Sequence, residues 1–142
     1  MEKANLLILC TGNSARSQMA EAYFEKLAGD KFNVVSAGLE PRPVNPLAIQ
    51  VMKEDGIDIS HKRSKGVKEF LGRMTFQAVI FVCEKAEMNC PTVFPFSLKR
   101  FSWPFEDPAA FEGSDEARLE KFRDIRDQIK EKIEASLVSN EI

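Results

Sequence analysis

At 142 residues, 44% hydrophobic and 30% charged, the chain has the length of one domain and the make-up of a soluble globular protein. A net charge of −2 gives a nucleic-acid partner no electrostatic support, and no apolar stretch nears the ~20 residues of a membrane helix. Three cysteines suit no disulfide framework, so the expectation is a cytoplasmic protein with working thiols and no signal-peptide pattern before its first strand.

Residues 5–10 read as a buried strand, and residues 16–28 as a helix with Met19, Ala20, Tyr23, Phe24 and Leu27 on one side, ending at Gly29. Between them lies Cys10-Thr11-Gly12-Asn13-Ser14-Ala15-Arg16-Ser17, a thiol at the mouth of a strand-to-helix turn with an arginine six positions on. Gly12 and Asn13 tolerate unusual backbone angles, so the N–H groups of residues 11–17 can converge into a nest that attracts oxyanions. Arg16 adds a planar fork, and Ser17 a hydroxyl able to donate to the sulfur. The same field predicts a depressed Cys10 pKa and a reactive thiolate. The bland readings are a small buried cysteine or a nucleotide loop, but the glycine patterns of the latter are absent.

Residues 32–37 read as a second strand, followed by a loop with Gly38, Pro41 and Pro43. Asn45 caps a helix with Pro46 in its first turn, Gly56 just past its end, and Leu47, Ala48, Val51 and Met52 on its apolar face. Residues 57–66 form a polar loop carrying His61, the sole histidine; residues 67–73 form one or two helical turns. The run 76–82, apolar except for Gln77, suits a central parallel strand covered on both faces. Residues 83–90 are polar and stop at Pro91; residues 100–103 make a weak fourth strand. From Ser114 a long helix runs to about Leu137 with Leu119, Phe122, Ile125, Ile129 and Ile133 in step. The alternation predicts an α/β fold, a single-domain three-layer sandwich with a four-stranded parallel sheet and helices on both faces. Ligands bind such sheets beyond the carboxyl ends of the strands, where Cys10, Ser36, Cys83 and Asp107 all fall.

Cys83 and Cys90 admit several readings: inert core residues, zinc ligands together with Cys10 and His61, or a redox pair. Their six-residue gap misses the usual ligand spacing of zinc. In a straight helix they would stand ~10.5 Å apart along the axis, whereas a disulfide needs Cα atoms within roughly 7 Å. If they pair, the segment must loop or unwind. Asp107, before Pro108, is either a turn-capping residue or a general acid.

The Cys-x5-Arg-Ser loop resembles that of low-molecular-weight protein tyrosine phosphatases and of the arsenate reductases sharing their fold. The stretch 82–91, with Cys83-Glu84-Lys85 and Asn89-Cys90-Pro91, narrows the resemblance to thioredoxin-coupled arsenate reductases; Ser36-Ala37-Gly38 and Asp107-Pro108-Ala109 follow the same pattern. The resemblance spans essentially the whole chain and implies the strand order 2-1-3-4. It implies that Cys10 attacks arsenate held by the loop and Arg16, with Asp107 as acid. It further implies that Cys83 and Cys90 complete a disulfide cascade, and that reduced thioredoxin regenerates it. Glutaredoxin with glutathione is the other candidate donor, and phosphate and sulfate are competing oxyanions. No bound cofactor or metal and no nucleic acid or membrane partner are expected; a monomer engaged in arsenical detoxification is.

Two departures stand out. Ala15 replaces a cysteine found in many members, which leaves Cys83 the one redox partner of Cys10. Some relatives hold potassium near residues matching Asn13, Glu21 and Ser36 plus an aspartate; Lys65 stands at the aspartate position, so its ammonium is expected to replace the ion and steady Asn13 through Glu21. The alternatives are a phosphatase, against which Thr11 and Ala109 stand in place of larger pocket-lining side chains, and a non-catalytic oxyanion- or thiol-sensing protein.

Overall fold

Four strands pair in parallel in a computed structural model that describes residues 3–70, 73–83, 97–140 and 142. They are β1 (Ala4–Cys10), β2 (Phe32–Gly38), β3 (Phe76–Phe81) and β4 (Ser97–Ser102), in the spatial order β2-β1-β3-β4. Leu6 of β1 lies opposite Val34 of β2 and Ala78 of β3. Leu6, Leu7, Ile8 and Leu9 are wholly buried, and so are Ala78, Val79, Ile80 and Phe81 within 1%. Successive residues on a strand face opposite ways, so both faces of the central strands are covered. The fourth strand begins three residues before its expected start, and Trp103 lies just beyond it against Phe24, ring centroids 6.1 Å apart.

Helix α1 (Arg16–Ala28) follows β1 directly, and Ala15 at its N-cap supplies no side-chain cap. Its first turns are buried all round, Ser17, Gln18 and Glu21 included, while Leu27, expected on the apolar face, is 40% exposed. Polar side chains are buried there because Asn13 of the turn after β1 and residues 62–65 bond to them, a tertiary effect that helical periodicity does not carry. Helix α2 (Pro46–Glu54) is capped by the Asn45 side chain, which accepts from the Leu47 N–H, and Gly56 turns the chain away at φ +77°. Only Val67–Glu69 of the expected turns at 67–73 is a 3-10 turn, and residues 71 and 72 lie outside the described residues. Helix α3 (Asp115–Val138) is capped by Ser114, buries Phe122, Ile125, Ile129 and Ile133, and packs on α1 and α2. The strand order reverses between β1 and β3, so the crevice of the sheet opens beyond Cys10 and Cys83.

Candidate active site

A peptide plane points its C=O and its N–H in opposite directions, so whatever engages a loop's carbonyls also aims its amides. Between Cys10 and Ser14 every carbonyl is engaged from outside the loop. Those of Cys10, Thr11, Gly12 and Ser14 accept from the N–H groups of Leu39, Glu40, Arg42 and Asn45 at 2.8–3.3 Å. The Asn13 carbonyl accepts from Gln18 Nε2 at 3.1 Å and Ser64 Oγ at 2.9 Å. The N–H groups of residues 11–15 therefore face the opposite, concave side, next to the orphan donors of the uncapped α1 N-terminus. Residues 39–45 carry most of this framework through backbone donors, which residue identities alone do not reveal.

Two residues make the fit tight. Asn13, at φ 49°, is the left-handed residue of the loop; Gly12 keeps ordinary angles. The Asn13 amide donates to Ser17 Oγ at 2.8 Å and Ser36 Oγ at 2.9 Å, and its oxygen accepts from the Lys65 N–H at 2.8 Å. Gly38 lies directly under the loop: a Cβ there would sit 2.7 Å from the Thr11 carbonyl oxygen and 2.8 Å from the Asn13 nitrogen. Ser17 accepts from Asn13 and makes no bond to the Cys10 sulfur, contrary to the sequence expectation.

Lys65 also differs from its expected part. It reaches Asn13 directly through its main chain, while its ammonium donates to the Arg63 carbonyl at 3.0 Å and lies 4.0 Å from Glu21. The nearer partner of buried Glu21 is Lys62, at 3.1 Å, a residue the sequence did not single out. Burial opposes the Lys62 ammonium, but Glu25 and Glu21 hold its pKa above the ordinary lysine range; for Lys65 burial prevails and lowers it. Among the described residues no cluster of His, Cys, Asp or Glu could hold a metal ion.

The loop floors an open cavity of about 670 Å³ whose lining includes Cys10, Arg16, Arg42, Cys83 and Asp107. Arg16 is almost buried; its Nη1 donates to the Phe105 carbonyl at 2.9 Å and its Nη2 stands 3.8 Å from Asp107. The Asp107 carboxylate is 46% exposed and caps the turn Pro108–Ala110 through the Ala109 N–H, while its other oxygen faces Arg16. Capping and a place in the cavity thus coexist. Cys10 and Cys83 are both buried thiols lining the same cavity, with the Thr11 hydroxyl 3.3 Å from the Cys83 sulfur.

The expected depression of the Cys10 pKa is reversed. The neighbouring Cys83 thiol and then burial push the Cys10 thiol up, against the opposing pull of Arg16 and the Thr11 amide. Two neighbouring thiols resist ionising together. Cys90 and the rest of the 84–96 stretch lie outside the described residues, and His61 is exposed.

Comparison with known proteins agrees with this geometry. The sequence matches the family "Low molecular weight phosphotyrosine protein phosphatase" over residues 5–141. It is 43% identical to Arsenate reductase 1 of Staphylococcus epidermidis, over 94% of this chain and 96% of that one. Against the arsenate reductase of Halalkalibacterium halodurans it is 44% identical, over 94% of each. Among solved structures, an arsenate reductase in the phosphate-binding state superposes with a TM-score of 0.80 at 34% identity, covering 96% of this chain and 98% of that one. A low molecular weight protein tyrosine phosphatase from T. tengcongensis superposes with a TM-score of 0.77 at 25% identity, covering 97% and 99%.

Proposed function

The chain belongs to the low molecular weight phosphotyrosine protein phosphatase family, and from that premise we propose that it reduces arsenate to arsenite through the thiols of Cys10, Cys83 and Cys90. The observation that supports the reading is that Cys10 and Cys83, at the ends of paired strands, line one cavity over a loop whose amides converge. Hydrolysis of a phosphate ester needs one sulfur; a two-electron reduction needs a second within reach.

Arsenate carries two charges near neutral pH and is itself a base. As it enters the cradle of residues 11–17 it takes the Cys10 proton, which offsets the high pKa of the thiol beside Cys83. The Cys10 sulfur bonds to arsenic and one oxygen leaves as water, protonated by Asp107; a positioned acid is worth roughly a hundred- to ten-thousand-fold. Arg16 holds the remaining oxygens, releasing Phe105 or sharing its five N–H donors. Cys83 then attacks the Cys10 sulfur. An S–S bond forms, the As–S bonding pair stays on arsenic, and arsenite departs. Cys90 attacks Cys83, Cys10 leaves as a thiolate, and an external dithiol reduces the Cys83–Cys90 bond. Reduced thioredoxin is the proposed donor, ahead of glutaredoxin with glutathione, and the reducing cytoplasm is the compartment this cycle requires. With Ala15 in the loop, Cys83 is the thiol that unloads Cys10.

The Cys83→Ser variant tests the reading. Thioredoxin-dependent arsenate reduction is expected to fall below a hundredth of the parent rate, while p-nitrophenyl phosphate hydrolysis survives. Arsenate reduction at the parent rate would refute the cascade, and glutaredoxin replacing thioredoxin in the same assay would reassign the donor.

A further inference from the structure

The reading above gives the cavity a doubly charged oxyanion and uses one arginine for it, yet a second arginine lines the same space. We propose that Arg42 is an anion-capture residue at the cavity rim, raising the occupancy of the oxyanion before the chemistry begins. The proposal rests on the functional reading for the identity of the substrate; its own basis is placement.

Arg42 is built into the loop framework rather than attached to it. Its N–H donates to the Gly12 carbonyl at 2.9 Å and its own carbonyl accepts from Ser64 Oγ. Its stem runs past the loop, so that a Cβ on Gly12 would meet Arg42 Cδ at 3.8 Å. Backbone position and side-chain direction are thereby fixed on the cradle itself. The guanidinium is exposed and, among the described residues, has no carboxylate or carbonyl partner; Arg63, Arg123 and Arg126 all have one.

The rim's other charges explain why an uncommitted cation matters there. Glu106 and Asp107 line the cavity too and would repel an incoming anion. Lys121 neutralises Glu106 at 2.5 Å, and Asp107 leans towards Arg16 at 3.8 Å. Arg42 then tips the mouth towards positive, and a weakly hydrated guanidinium suits a tetrahedral oxyanion. Acting through water, it attracts the dianion equally before and during bond making, so its contribution falls on binding.

Inorganic phosphate titrated into the reduced protein by calorimetry tests this without turnover. Arg42→Gln keeps the methylenes over Gly12 and is expected to weaken phosphate binding about 3- to 10-fold at low ionic strength. The gap should close as salt rises to about 0.5 M, where screening acts within a few ångströms. Arg42→Lys is expected to restore most of the affinity, and in arsenate turnover the Gln variant's loss should appear in KM rather than kcat. Phosphate affinity and salt slope equal to the parent's in the Gln variant would overturn the inference and leave the reductase reading intact. A parent protein that shows the Arg42 effect on phosphate but never reduces arsenate would instead overturn the functional reading alone.

Discussion

Cys10 sits between opposing influences. The neighbouring Cys83 thiol and burial raise its pKa, while Arg16 and the Thr11 amide lower it. The sequence displayed only the lowering groups, because they are local to the loop; the raising partner is 73 positions away and arrives with β3. The sign of the resulting prediction is definite. Replacing Cys83 with Ala removes the largest raising influence, so residue 10 should be alkylated by iodoacetamide at lower pH, roughly tenfold faster at pH 7. Peptide mass mapping follows residue 10 separately from residue 90. A profile unchanged or moved to higher pH would contradict this influence of Cys83 on Cys10.

Among the elements, the segment joining β2 to α2 matters most. Leu39, Glu40, Arg42 and Asn45 hold the loop's carbonyls, Pro43 accepts from Ser14 Oγ, and Gly38 lets the loop rest on the end of β2. Gly38→Ala would drive a methyl to within 2.7 Å of the Thr11 carbonyl oxygen, so the loop must move. Overpacking of this kind costs about 1–3 kcal/mol. The expected outcome is a lower Tm together with phosphate binding weakened tenfold or more; a variant with parental Tm and affinity would show that the contact does not shape the site. Strand and helix patterns made most of these elements legible, since Leu6–Leu9 and the Ile125, Ile129, Ile133 stripe follow the periods of buried structure. The scaffold role of residues 39–45 was not legible, because periodicity says nothing about which backbone N–H meets which carbonyl. Nor was Lys62: a lysine in a polar loop looks solvated until the fold brings Glu21 and Glu25 to it.

At the scale of the whole molecule, one topological fact organises the rest. Parallel strands in the order β2-β1-β3-β4 bring the ends of β1 and β3 side by side, which puts a thiol from each into one crevice. Alternating strands and helices predicted the parallel sheet, and of the residues that the carboxyl-edge rule gathered, Cys10, Cys83 and Asp107 line one cavity. Ser36 nonetheless faces the loop's underside through Asn13, away from the reacting sulfur. The central claim is that arsenate reduction leaves its two oxidising equivalents on these sulfurs. The direct measurement is to give Cys90→Ser protein one equivalent of arsenate, quench with an alkylating agent, and map the cysteines by mass. One arsenite released per chain with residues 10 and 83 cross-linked is the predicted result. Arsenite released while both remain open to alkylation would contradict it.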